Sequence, residues 1–166
     1  MILRSLPILC RAVTAGALGL ALASCSSTNP PGPGGQITKV KYYQLKNKEV
    51  PIPGADPSVN FEHIYHLYGA VSNKDRLERD GHYYAVMWKV TDASQPVKVR
   101  LEYRQQKTGT AVKTQEQEVT KIGRHNDTHF EVIGEEFVTG GPVTGWRVTL
   151  VRGKQVLAEA KSYLWD

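Results

Sequence analysis

The chain has 166 residues, with 21 basic and 16 acidic side chains for a net charge of +5. The two signs are intermixed, so the surface is mildly basic without the positive stripe that nucleic-acid binding requires. Its two cysteines, Cys10 and Cys25, both lie in the first 25 residues, and everything beyond lacks a thiol for a disulfide, a zinc site or nucleophilic catalysis.

From the N-terminus, Arg4 and Arg11 supply positive charge and residues 12–23 carry none, which is a signal-peptide plan. Twelve such residues rise about 18 Å as a helix, short of the roughly 30 Å of hydrocarbon that a spanning helix must cross. The run ends in Leu22-Ala23-Ser24-Cys25, a small-residue pattern that resembles the lipobox of bacterial lipoprotein precursors. That resemblance implies cleavage between Ser24 and Cys25 and acylation of the Cys25 thiol. The alternative is an ordinary secretory signal with Cys25 incidental. Each buried methylene contributes about 0.8 kcal/mol, so several acyl chains hold a protein on a bilayer where one does not. In that family an aspartate after the cysteine signals inner-membrane retention. Ser26 stands there instead, which points to the outer membrane, facing the periplasm. Removing residues 1–24 takes away Arg4 and Arg11 and no acid, so the net charge falls to +3.

After the lipidated Cys25, residues 26–36 are Ser, Thr, Asn, Pro, Gly and Gln, with no apolar side chain able to dock on a core. Residues 25–36 therefore read as a tether that holds the domain up to roughly 30 Å from the lipid surface. Residues 37–166 suit one domain, and a chain of that size buries close to two-thirds of its unfolded surface.

Within the domain, alternating apolar segments separated by Gly, Pro, Asn and Asp predict strands at 37–46, 64–72, 82–91, 97–105, 111–122, 129–139, 143–151 and 155–165. Pro51, Pro53 and Pro57 mark an irregular excursion after the first strand, and the charged segment 73–81 reads as a loop or one helical turn. Tyr84, Val86, Trp88 and Val90 share one parity and should face the core. Val97, Val99, Leu101 and Tyr103 do the same against Lys98, Arg100, Glu102 and Arg104 outside. In the last pair of strands, Trp146, Val148 and Leu150 must share a face with Val156, Ala158 and Ala160. An odd loop, Val151-Arg152-Gly153, satisfies that, and it sets Trp146 over Ala158 or Ala160.

These elements predict an all-β fold, a two-sheet antiparallel sandwich of seven to eight strands, with a small closed barrel as the alternative. The pattern resembles an immunoglobulin-like or fibronectin type III sandwich, without the Cys-Trp-Cys framework of antibody domains.

Few residue sets support chemistry. His63 and His66, if on a strand, point to opposite faces and cannot share an ion. His125, Asp127 and His129 converge in a loop but lack the closed ligand set that zinc requires. None of Ser58, Ser72, Ser94 and Ser162 sits in a nucleophile elbow, and Gly140-Gly141-Pro142 opens onto a strand, so it reads as a turn. Glu135 and Glu136, adjacent on a strand, face apart. Glu131 and Glu135 share a face about 13 Å apart, beyond glycosidase range. No catalytic residue, cofactor or metal is expected. Tyr163 and Trp165 fall on the outward parity of the last strand and are the candidate contacts for a protein partner or a glycan. Against this, aromatic residues such as Tyr42, Tyr65, Tyr84, Tyr103 and Trp88 suit the core, and Tyr163 and Trp165 suit the closed end of the sandwich. The expected function is a non-enzymatic envelope lipoprotein, held on a membrane by lipid on Cys25 and docking an envelope protein by a sheet edge or by loops. A carbohydrate-binding module is the alternative.

Overall fold

The computed structural model describes residues 29–46 and 52–166. Seven strands form two antiparallel sheets. One holds β1 (Gly35–Leu45), β2 (Gly81–Val90) and β5 (Asn126–Ile133) in the order β1-β2-β5. The other holds β3 (Val97–Gln105), β4 (Val112–Val119), β6 (Val143–Arg152) and β7 (Gln155–Lys161) in the order β4-β3-β6-β7. This is a two-sheet antiparallel β-sandwich in which the fourth strand lies in the sheet of the third.

Parity builds the core as the sequence requires. β3 alternates buried and half-buried positions along its whole length, and Leu101 and Val99 lie opposite Val148 and Leu150 of β6. Across the interlayer space stand Tyr84, Val86 and Trp88 of β2 with Phe130 and Val132 of β5. Trp88 is fully buried, and its indole N–H donates to Thr128 Oγ1 at 3.0 Å, so the largest side chain in the core leaves no orphaned donor. Core tryptophans of antibody domains sit on the third strand, whereas this one is on the second. β1 carries a bulge at Thr38, whose hydroxyl donates to Met87 O at 3.0 Å, and it switches the inward parity from odd to even.

Three expected strands are revised. The segment 64–72 is not extended: α1 (Pro57–Leu67) occupies its first part. Segment 73–81 contains a two-turn helix, α2 (Asn73–Arg79), opened by a capping box in which Ser72 accepts from Asp75 N and Asp75 accepts from Ser72 N. The segment 129–139 splits at Gly134, whose φ of +60° breaks the extended run, and α3 (Gly134–Gly140) follows with Glu135 and Glu136 in its first turn. The last strand stops at Lys161, and Tyr163–Trp165 form a single 3-10 turn.

The hairpin between β6 and β7 reaches the expected parity by a different route. Its turn is the two-residue Gly153-Lys154, with Arg152 opposite Gln155, and not a three-residue loop. A bulge at Leu157 then restores the even-with-even pairing of Val148 with Ala160 and Leu150 with Ala158. Leu157 and Ala158 are both buried as a result, while Val156 is exposed. Trp146 lies one step further, bonded to Ser162 through both Ser162 N to Trp146 O and Trp146 N to Ser162 Oγ, each at 2.9 Å. Its ring packs inward, edge-on to Tyr84.

Both open sides of the sandwich are covered. On one, Gln115 Nε2 and Gln117 Nε2 of β4 donate to the carbonyls of Glu131 and His129 on β5, at 2.8 and 2.5 Å. On the other, residues 29–34 form a strap between β1 and β7. Gly34 N donates to Leu157 O at 3.1 Å, Gln36 Nε2 to Asn29 O at 2.8 Å, and Asn29 Nδ2 to Ile37 O at 3.2 Å. The strap depends on Gly32, where a Cβ would stand 2.3 Å from Leu157 O. The second half of the expected tether is therefore part of the domain, and β1 starts at Gly35, before residue 37.

Candidate docking surface

Ser24 and Cys25 lie outside the described residues. The pair Tyr163 and Trp165 is split. Tyr163 is 97% exposed, but Trp165 is only 7% exposed. The residue belongs to a 3-10 turn and not to a strand, so strand parity does not place it; it lies over the outer face of the four-stranded sheet and does not face solvent. The 3-10 turn folds onto Gly145, and the guanidinium groups of Arg104 and Arg147 lie 4.6 and 5.1 Å from the indole centroid. Arg104 also donates to Trp165 O at 2.8 Å, and Glu102 holds Arg147 at 2.7 Å. Trp165 is therefore packed against the two arginines and offers no stacking platform.

The remaining candidates have local roles. Ser58 bonds the capping Asp56, Ser72 caps α2, Ser94 N donates to Asp92, and Ser162 bonds Trp146. Glu135 and Glu136 stand on a helix, so the strand argument for their divergence does not apply. Glu136 accepts from the Tyr103 hydroxyl and from Lys113 Nζ at 3.3 Å, riveting α3 to the four-stranded sheet. Burial, reinforced by that carboxylate, holds the Tyr103 hydroxyl well above the usual phenol range. His129 pairs with Asp127 at 3.0 Å on the exposed face of β5. Among the described residues, no three His, Cys, Asp or Glu side chains converge on a metal position.

The structural feature that sequence reasoning missed is α1. Its start is written in the chain: Asp56 accepts from Ser58 N at 2.8 Å and Pro57 takes the first turn. Phe61, Ile64, Tyr65 and Tyr68 then fall at i, i+3, i+4 and i+7, which is one face of a helix. In a helix that covers a core, such a face points inward. Here it points out: the four side chains are 57%, 56%, 63% and 84% exposed. No residue of α1 is buried, and Tyr65, like Tyr42, is exposed where a core position was expected.

The opposite side of α1, with His63 and His66, turns toward the three-stranded sheet. His63 and His66 therefore share a face, as helical i and i+3 positions do. The His66 ring stacks on Tyr83 at 3.6 Å between centroids and on Tyr43 at 5.7 Å, and Glu62 lies 3.3 Å from its Nε2. Burial lowers the His66 pKa, while Glu62 acts in the other direction. Arg79 of α2 fastens the helix end by donating to His66 O at 3.0 Å and Tyr68 O at 2.6 Å, and the Tyr83 hydroxyl donates to Arg79 O at 2.7 Å. The apolar stripe is thus fastened to the sheet's outer face by the His66 ring and the Arg79 hydrogen bonds. Ile52, Val71 and Leu77 are further exposed apolar residues in the segments that flank α1.

Among the described residues, no helix is long and apolar enough to cross a membrane. No protein-family model matches the chain, and no curated protein or solved structure matches it either.

Proposed function

We propose that this chain is a cell-envelope lipoprotein, anchored by acyl chains on Cys25 and facing the periplasm from the outer membrane, whose sandwich is a non-enzymatic docking module. The observation that carries the docking reading is α1, a firmly held helix with its apolar stripe turned to solvent. Exposed aromatic and aliphatic side chains at i, i+3, i+4 and i+7 suit a surface that is covered when the protein works. The lipobox pattern Leu22-Ala23-Ser24-Cys25 supports the anchor, and Ser26 after it supports the outer membrane. Docking through the edge of β5 is less well supported, because glutamine side chains of β4 already occupy carbonyls there. The carbohydrate alternative is weakened by the burial of Trp165.

Intact-mass analysis of the protein from membranes tests the anchor. The expected mature chain starts at an acylated Cys25, and Cys25→Ser abolishes the acyl mass. A mature chain with a free Cys25 thiol refutes it. A photo-crosslinker at Tyr65 tests docking: capture of an envelope constituent supports the module, and no product from intact cells counts against it.

A further inference from the structure

We infer that the outward face of α1 lies in the interface of the bilayer that carries the anchor, with Phe61, Ile64, Tyr65 and Tyr68 among the headgroups and upper acyl chains. This rests on the acylation of Cys25 proposed above.

Two independent observations converge on lipid. The first is the composition of the stripe: aromatic and aliphatic side chains on one face of an amphipathic helix belong at the boundary between water and hydrocarbon. The second is the strap. A tether free along residues 25–36 would hold the domain far from the surface, but Asn29 to Gly34 are bonded to β1 and β7. Only the four steps from Cys25 to Asn29 remain, and they span at most about 14 Å. The bilayer is therefore the nearest large apolar phase to every part of the domain.

The geometry also sets the orientation. The strap meets β1 at Ile37, and α1 sits over Tyr43 of the same strand, six residues away and thus about 20 Å. Anchor and helix are two points of contact joined by β1, so the three-stranded sheet lies roughly parallel to the membrane with its outer face down. Between these points, exposed Lys39 and Lys41 lie on that outer face, nearest the strap and well placed for anionic headgroups. Asp127, His129 and Glu131 are on the same face but on β5, two strands away.

The test uses the full acylated protein, reconstituted in vesicles of phosphatidylethanolamine and phosphatidylglycerol. Cys10 leaves with the signal and Cys25 is acylated, so one introduced cysteine is the sole thiol. Ile64→Cys, Tyr65→Cys and Tyr68→Cys each receive an environment-sensitive fluorophore, with Lys154→Cys in the β6–β7 turn as the control. Lipid brominated on the upper acyl chain should quench the three stripe probes about threefold or more beyond the control. The pair Phe61→Glu and Tyr65→Glu, with the acyl mass and circular dichroism unchanged, should bring quenching at position 68 down to the control level. Quenching equal to the control in acylated protein overturns the inference and leaves the anchor reading standing. So does a stripe shielded only in native membranes, which assigns it to a protein, or shielded by a dimer in detergent. If the mass shows no acyl group, the anchor reading fails. The inference, which rests on that anchor, then falls with it.

Discussion

Lowering the pH should destabilise this domain through one histidine. His82 opens β2 and is 5% exposed, with its ring between Tyr84 and Phe137. Its Nε2 accepts from Val143 N at 3.2 Å, so the folded protein holds the ring neutral. Burial, with the nearby Lys46 charge adding to it, lowers the pKa from 6.5 to about 4. Above pH 6.5 the ring is neutral in both folded and unfolded chains and contributes no pH dependence. Below it, the unfolded chain binds a proton that the folded chain refuses, so stability falls until the pH reaches about 4. At about 1.4 kcal/mol per unit, the full loss is about 3 kcal/mol, of which about 2 kcal/mol is gone by pH 5. His82→Gln keeps an acceptor for Val143 and does not titrate. Urea unfolding followed by tryptophan fluorescence, at intervals from pH 7.5 to 4.5, gives the difference between parent and variant, from which the shared carboxylates cancel. The parent should lose about 2 kcal/mol relative to the variant between pH 7.5 and 5. Parallel curves would show that His82 titrates alike in the folded and unfolded chains, and would refute the reasoning.

Three further outcomes are expected. Gly32→Ala places a methyl group against the Leu157 carbonyl and the Ala158 backbone, which cannot yield, so the strap should lift. The Gly34 amide should then exchange faster with deuterium, with stability down by about 1 to 2 kcal/mol, and unchanged exchange would count against the strap. Thr128→Val removes the acceptor of the buried Trp88 indole and should cost about 1 to 3 kcal/mol in urea unfolding, whereas Thr128→Ser should retain most of it. Replacing Gln115 and Gln117 together by alanine frees the β5 carbonyls, and sedimentation should reveal concentration-dependent association that the parent lacks.

The sheets were legible because their residues obey period two and face one core. Val97 to Gln105 was located to the residue because every odd side chain is buried and every even one meets solvent or an ion pair. The β6–β7 parity was legible for the same reason, but the bulge at Leu157 was not, since bulge and odd loop satisfy one pattern equally well. α1 was hidden by its inversion. A helix that turns its apolar stripe outward offers no core-facing run, and the aromatic-rich 64–72 stretch imitates a strand. Asp56, Pro57 and the spacing of Phe61, Ile64, Tyr65 and Tyr68 were the available signal. Trp165 was misread because it lies in a 3-10 turn, where strand parity does not apply, and because parity does not tell what covers a face. Here two arginines from neighbouring strands do so.

The strap also changes the arithmetic of attachment. A domain on a long leash explores a large volume, and any second contact must repay the loss of that freedom. With only three residues between Asn29 and Cys25, acyl chains on Cys25 would confine the domain to a thin shell. The apolar face of α1 would then work at a high local concentration of lipid, and a contact too feeble to hold a free protein would suffice to hold an anchored one.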